Sequence, residues 1–193
     1  ALTNLDCFDN QLTSLDVSAN TALTYLNCSW NLLTGLDVST NTALISLSCW
    51  DNQLTSLDVS NNTALISLSC ENNQLTTIDV SGNPLFDFLS CTSNQISSLD
   101  FSNNPNFWLV YASGNQLNSV DVRNGNNSSV SWGDCEFQNN PQLYCIDVDS
   151  VTLCNTNINF IDPQTIFSTN CTGTSVEEHT TNKELLKVTD LLG

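Results

Sequence analysis

A chain of 193 residues with 40% hydrophobic side chains is long enough to bury an ordinary core, yet only 12% of its residues are charged. Three Lys or Arg stand against 20 Asp or Glu, the formal net charge is −17, and Arg123 is the one basic side chain before Lys183. This balance excludes a nucleic-acid binder, which needs clustered cations to displace counterions, and a protein that docks on anionic headgroups; no apolar run reaches the length of a membrane span, so no membrane insertion is expected.

From residue 1 to about residue 123 the chain repeats itself every 21 residues. Ala22-Leu23-Thr24-Tyr25-Leu26-Asn27-Cys28 returns as Ala43-Leu44-Ile45-Ser46-Leu47-Ser48-Cys49 and again as Ala64-Leu65-Ile66-Ser67-Leu68-Ser69-Cys70. The first unit sets the apolar frame at Leu2, Leu5, Cys7, Leu12, Leu15 and Val17; later units drift conservatively to Phe86, Leu89, Cys91, Ile96, Leu99 and Phe101, then Phe107, Val110, Ala112, Leu117, Val120 and Val122. Leu5 and Cys7 alternate at period two, so both face one side of a short strand while Asp6 faces the other. Leu15 and Val17 do the same around Asp16, which predicts a second short extended segment in each coil. A single coil cannot bury its own apolar face, and stacking coils at roughly 4.8 Å makes a continuous core. No unit holds a helix-length amphipathic stretch. The expectation is a mainly β solenoid with a parallel sheet on its concave face, short extended or turn segments on the convex face, and a C-terminal cap.

The repeat matches Leu-x-x-Leu-x-Leu-x-x-Asn/Cys-x-Leu with Cys in the third apolar slot, and over residues 1–149 the chain resembles the leucine-rich-repeat family. The wording Asn-Gln-Leu-Thr-Ser-Leu-Asp-Val-Ser-x-Asn-Thr is similar to repeats of secreted Bacteroidetes proteins. The resemblance implies a right-handed solenoid of about seven coils that is exported, held at the cell surface and engaged most often in protein recognition.

Several polar columns run through the repeat. Asn10, Asn31, Asn52, Asn73, Asn94 and Asn115 are expected to point inward and to bridge backbone groups that the turn leaves unpaired. Asn20, Asn41, Asn62, Asn83 and Asn104 fall in the turn between units and should bond to the backbone there. Asp16, Asp37, Asp58, Asp79, Asp100 and Asp121 point outward, and neighbours roughly 4.8 Å apart repel by about 1 kcal/mol even at water-like dielectric. Local hydrogen bonds from Ser18, Ser39, Ser60, Ser81 and Ser102 would offset that; a row of weak Ca²⁺ sites is the alternative. Cys7, Cys28, Cys49, Cys70 and Cys91 occupy an apolar column and read as free thiols, because a linear row does not converge on a metal ion. Neither a metal nor a cofactor is expected.

Beyond Arg123 the turn-forming cluster from Asn124 to Ser129 breaks the register. A lengthened unit then resumes, with Cys135 and Phe137 inward, Asn140 in the ladder slot, and Ile146-Asp147-Val148 in place of Leu-Asp-Val. Residues 150–172 show no repeat and are expected to form the cap, with Phe160, Ile161, Ile166 and Phe167 as its plug. Residues 173–182, with the lone and solvated His179, read as an acidic linker. Residues 183–193 are similar to the opening of a C-terminal sorting domain of type IX secretion, and the chain is expected to be cut at both ends, since it starts in repeat phase. Cys135, Cys145, Cys154 and Cys171 allow three connectivities among themselves, and their spacing does not choose one. Resemblance to bacterial repeat proteins with a cysteine at two of these positions implies a Cys145–Cys171 bond locking the cap to the last coil, with Cys135 free.

On the concave sheet the middle units present Ser46, Ser48, Ser67, Ser69 and Ser90, and against these Phe8, Tyr25, Trp30, Trp50, Phe88 and Tyr111 stand out as candidate ligand-binding residues. Phe8, Trp30 and Trp50 should lie together near one lateral edge, where they suit a protein hot spot or the face of a sugar ring, or pack on one another. Trp108 and Trp132 are expected in the core. With no His in the folded region and no Lys before Lys183, a catalytic constellation is lacking. The chain therefore reads as a monomeric, non-enzymatic adhesion module that binds a protein through its concave face. A carbohydrate-binding module or a passive stalk is the alternative, and the thin Thr13, Thr34, Thr55, Thr76 row argues little for ice binding.

Overall fold

A computed structural model describes residues 1–154 and 160–171; the expected linker with His179 and the segment 183–193 lie outside the described residues. Each unit forms one coil, and the Leu-x-Cys end of the repeat supplies one three-residue strand per coil. These strands are β1 (Asn4–Asp6), β2 (Tyr25–Asn27), β3 (Ser46–Ser48), β4 (Ser67–Ser69), β5 (Phe88–Ser90) and, after one strand of a different sheet, β7 (Leu109–Tyr111). They pair in parallel, in the order β1-β2-β3-β4-β5-β7, with a register step of one repeat, so Leu5, Leu26, Leu47, Leu68, Leu89 and Val110 lie side by side. Period-two alternation turns these central residues inward, where all but Leu5 are fully buried, and turns their flanking neighbours outward.

A second parallel sheet joins β6 (Ser98–Asp100), β8 (Ser119–Asp121), β9 (Cys145–Asp147) and β10 (Ile166–Ser168) in the order β10-β9-β8-β6. The second extended segment expected in every coil thus pairs as a strand only from Ser98 onward. Ile166 of β10 lies opposite Cys145 of β9, so the backbone keeps its 21-residue step where the side-chain pattern has stopped. Alternation along β10 divides the expected plug. Phe167 packs on the core, its ring 5.3 Å from that of Trp132, and Ile161 packs there too, but Ile166 sits at an outward strand position and is exposed, as is Phe160. Between β9 and β10, residues 151–154 make a single helical turn, α1 (Val151–Cys154), and no helix among the described residues is long and apolar enough to cross a membrane. Cys145 and Cys171 form a disulfide that ties the end of the described chain to β9.

The coils are joined through the inward asparagines. Asn73 donates from Nδ2 to the Cys49 carbonyl one coil away (3.0 Å) and to Cys70 and Glu71 in its own turn, while its Oδ1 accepts the Leu54 N–H (2.9 Å). Asn31, Asn52, Asn94 and Asn115 repeat the arrangement. Asn140 does so across the lengthened coil, bonding to the Ala112 carbonyl and the Leu117 N–H. Asn10 differs from the inward placement expected of it: it is exposed and its side-chain amide donates only to Cys7 and Phe8 of its own turn, because no coil packs outside it among the described residues. In the second column, Asn41, Asn62, Asn83 and Asn104 are fully buried and each donates to two carbonyls of the preceding coil, as Asn62 does to Val38 and Asn41.

Beside the inward asparagines run the cysteines. Cys28, Cys49, Cys70 and Cys91 are fully buried free thiols, and Cys7 in the first coil is half-buried. Ala112 and then Phe137 take over the slot three residues before the ladder asparagine; Cys135 is buried and free nearby. Burial raises the Cys28 thiol to about 12 and pushes Cys49 and Cys70 well above their ordinary value.

Replacing Asn73 by Ala leaves the buried Leu54 N–H without its partner, while the Cys49, Cys70 and Glu71 carbonyls keep Asn52, Asn94 and Asp51 as donors; a loss of about 2 kcal/mol is expected in urea unfolding, against less than about 1 kcal/mol for Asn10→Ala. Equal losses at the two positions would contradict the bridging role. In native protein at mildly alkaline pH, iodoacetamide should label Cys7 ahead of every other ladder cysteine, with Cys49 and Cys70 protected until the chain unfolds.

Candidate ligand-binding face

The strand register turns each outward position of the repeat into a column across the six-stranded face. Asn4, Tyr25, Ser46, Ser67, Phe88 and Leu109 make the first, and Asp6, Asn27, Ser48, Ser69, Ser90 and Tyr111 the second. Two residues further on, the same step aligns Phe8, Ser29, Trp50, Glu71, Thr92 and Ser113. The next position closes the turn in left-handed backbone, with φ between 50° and 68° at Asp9, Trp30, Asp51, Asn72, Ser93 and Gly114. Asp, Asn, Ser and Gly tolerate that geometry; a tryptophan there is costly and stands out.

Held at this turn, Trp30 swings over the third column and joins Phe8 and Trp50. Their ring centroids lie 6.5 Å (Phe8–Trp30), 5.7 Å (Phe8–Trp50) and 6.0 Å (Trp30–Trp50) apart, with the planes tilted by 45°, 48° and 83°. Ser29, between Phe8 and Trp50 in the column, is fully buried and its Oγ has no hydrogen-bond partner. The cluster is nonetheless open to solvent, with Phe8 42% and Trp30 50% exposed. Phe88 and Tyr111 form a second, edge-to-face pair at 5.7 Å, and Tyr25 joins neither group among the described ring contacts. The serines of β3 and β4 lie between the two groups and keep the middle of the face low.

Several residues of this surface escape a reading of the sequence. Trp108, expected in the core, is 49% exposed, because Phe107 takes the inward slot and stacks on Phe101 at 4.0 Å, which leaves the next residue facing out. It shares a column with Ile45 and Ile66 at the start of the strands, and Ile45 and Leu85 are exposed as well. Trp132 is buried, its indole N–H donating to the Asn127 carbonyl. Glu71 accepts the Ser90 hydroxyl on Oε1 (2.5 Å), and its Oε2 is shielded from solvent without a partner. Burial pushes the Glu71 carboxyl above the ordinary value for a glutamate, and the Asp51 charge adds to the effect. The 21-residue alignment contains the signal for these residues, as columns of mixed chemistry on the outer side of the strands.

Away from this face, each aspartate of the outward row accepts the N–H two residues ahead, at 2.8–2.9 Å, from Ser18, Ser39, Ser60, Ser81, Ser102 and Arg123. These bonds, to the serine side chain first and the backbone second, hold Asp16, Asp37, Asp58 and Asp79 below the ordinary carboxylate value. Arg123 pairs with Asp121 and lies 3.6 Å from Asp147. No group of three or more His, Cys, Asp or Glu side chains converges as a metal site among the described residues.

The geometry has counterparts among solved structures. The functional domain of InlJ from Listeria monocytogenes, which includes a cysteine ladder, superposes with a TM-score of 0.68 at 29% identity over 86% of this chain and 40% of that one. The internalin InlF from the same organism gives 0.60 at 22% identity over 83% of this chain and 47% of that one. The leucine-rich-repeat protein LIC12759 of Leptospira interrogans gives 0.60 at 20% identity over 86% and 48%. The fold is a leucine-rich-repeat solenoid, mainly β, and the chain spans less than half the length of each of these structures. No protein-family model matches the chain, and no curated protein matches it.

The carboxylates act on stability in two pH windows. Glu71 and Asp87 are raised by burial, so their charged forms destabilise the fold, and that cost disappears as pH falls through values above their ordinary 4.5 and 3.8. The outward row is lowered, so its contribution is complete above 3.8 and is lost as pH falls below it. A melting temperature that rises slightly from neutral to mildly acidic pH and then drops below about 4 is the expected profile, and Glu71→Gln should flatten its upper part.

Proposed function

We propose that this chain is a non-enzymatic binding module of an exported bacterial surface protein, and that it recognises a protein through the six-stranded face. The observation that carries the proposal is the solvent-open cluster of Phe8, Trp30 and Trp50, with Trp30 held in a left-handed turn that the other coils give to Asp, Asn, Ser or Gly. Exposed aromatic anchors on a rigid sheet lose little entropy on binding and bury much area, as protein hot spots do. The rings tilt against one another rather than forming a flat row, and this favours a protein partner over a sugar, which stacks best on an open ring face. Likeness to InlJ and to an internalin supports a recognition role, and the Cys145–Cys171 bond supports an oxidising, exported location. Residues 183–193 are the part of the sequence that favours type IX secretion and attachment at the outer membrane.

An array of host and matrix proteins, with a glycan array beside it, tests this at near-physiological salt, with and without Ca²⁺. A protein hit should weaken by about tenfold or more on Trp30→Ala combined with Trp50→Ala, the loss expected of hot-spot rings. A glycan hit with that sensitivity would replace the proposal with a carbohydrate-binding one. A binding profile that the double substitution leaves unchanged would make the chain a spacer.

A further inference from the structure

The middle of the six-stranded face holds a carboxylate half withdrawn from water. Glu71 lies one coil from Trp50 in the third column, beside Ser69 and Ser90 of the second. Ser90 satisfies Oε1, but Oε2 has lost its water and gained no protein donor. An ionised oxygen in that position is costly unless a cation reaches it. None reaches it among the described residues, where Arg123, the one Lys or Arg, is engaged by Asp121 and Asp147 of the second sheet. The preceding coil adds Asp51, which accepts from Asn72 Nδ2 at 3.2 Å and carries a second negative charge at the same rim. Aromatic residues flank the carboxylate along the columns, Trp50 one coil before it and Phe88 and Tyr111 one and two coils after, and the small serines of β3 and β4 line the strands between.

We propose that this face binds a basic protein segment, and that one Arg or Lys side chain of the partner enters the notch beside Trp50 and pairs with Glu71. This inference rests on the protein-recognition reading above and names the partner's chemistry. The occupant follows from charge complementarity. A net charge of −17 favours approach of a basic chain over long range, and the unpaired Oε2 gives its cation a fixed place at short range. A guanidinium in the notch can meet the Trp50 indole with its face and the carboxylate with its N–H edge, two contacts that a neutral side chain cannot make together. The small serines leave room for the backbone of an extended or helical segment across the strands, which are spaced at roughly 4.8 Å. The partner's cation thereby takes up the hydrogen-bonding capacity that folding leaves open at Glu71.

Random peptides of about a dozen residues displayed on phage, selected on the intact chain at near-physiological salt, provide the probe; this length crosses the six strands when extended. Selected peptides should carry Arg or Lys at one shared position. Replacing that Arg by citrulline, or that Lys by its acetylated form, should cost about tenfold in affinity, Glu71→Gln should cost a similar factor, and the two changes together should cost no more than either alone. Asp58→Asn removes one charge outside this face and should leave affinity unchanged, while thermal melts verify that each variant folds. Binding abolished by Ser67→Trp but indifferent to Glu71→Gln would overturn the anchor and leave the face as a protein-binding surface. Peptides indifferent to Ser67→Trp would instead move recognition off the face and contradict the proposed function itself. Failure to enrich any peptide overturns the basic-segment proposal, and the protein array then decides the broader reading independently.

Discussion

One side-chain amide per turn holds the coils of this protein together. The asparagine at the end of each strand turn donates to a carbonyl of the coil before it and accepts an N–H of that coil, as Asn73 does with Cys49 and Leu54. A three-residue strand followed by a tight turn leaves these backbone groups inside the solenoid, where water cannot reach them. The amide meets two needs together, because it satisfies the turn and fixes the distance and register of the next coil. Asn140 makes the same bonds after a coil lengthened by the inserted turn at Asn127–Ser129, so the ladder absorbs an insertion without losing step.

Once register is fixed, like stacks on like, and each column needs its own physical solution. Thiols suit the apolar column because cysteine is small and tolerates a neighbour roughly 4.8 Å away. Aspartates on the outer side repel one another, and each lowers its own cost by accepting the N–H two residues ahead. On the six-stranded face the constraint becomes an opportunity. The column positions are rigid, spaced by the sheet and independent of the core, so Phe8, Trp30 and Trp50 can be brought together from three coils without disturbing the packing beneath.

Much of this was readable because a repeat turns sequence position into spatial position. The strands, the inward leucines, the asparagine ladder and the clustering of Phe8, Trp30 and Trp50 all follow from a 21-residue step and period-two alternation. The readings that missed lie where one of these rules gave way to another. Asn10 has no outer coil among the described residues, Trp108 yields the inward slot to Phe107, and Ile166 falls on the outward side of a strand that no repeat announced. Glu71 was missed because nothing in its local sequence reports which of its carboxylate oxygens loses water; that depends on Ser90, one coil away.

The account centres on the six-stranded face as the surface that meets a partner, and side-chain footprinting of a complex with a captured protein ligand tests it directly. Trp30 and Tyr144 are similarly exposed, at 50% and 47%, and Tyr144 lies next to β9 of the other sheet. Hydroxyl radicals should therefore oxidise both in the free chain. In the complex, protection of Phe8, Trp30 and Trp50 with Tyr144 unchanged is the result the account predicts. Protection of Tyr144 with the aromatic cluster still fully reactive would contradict it.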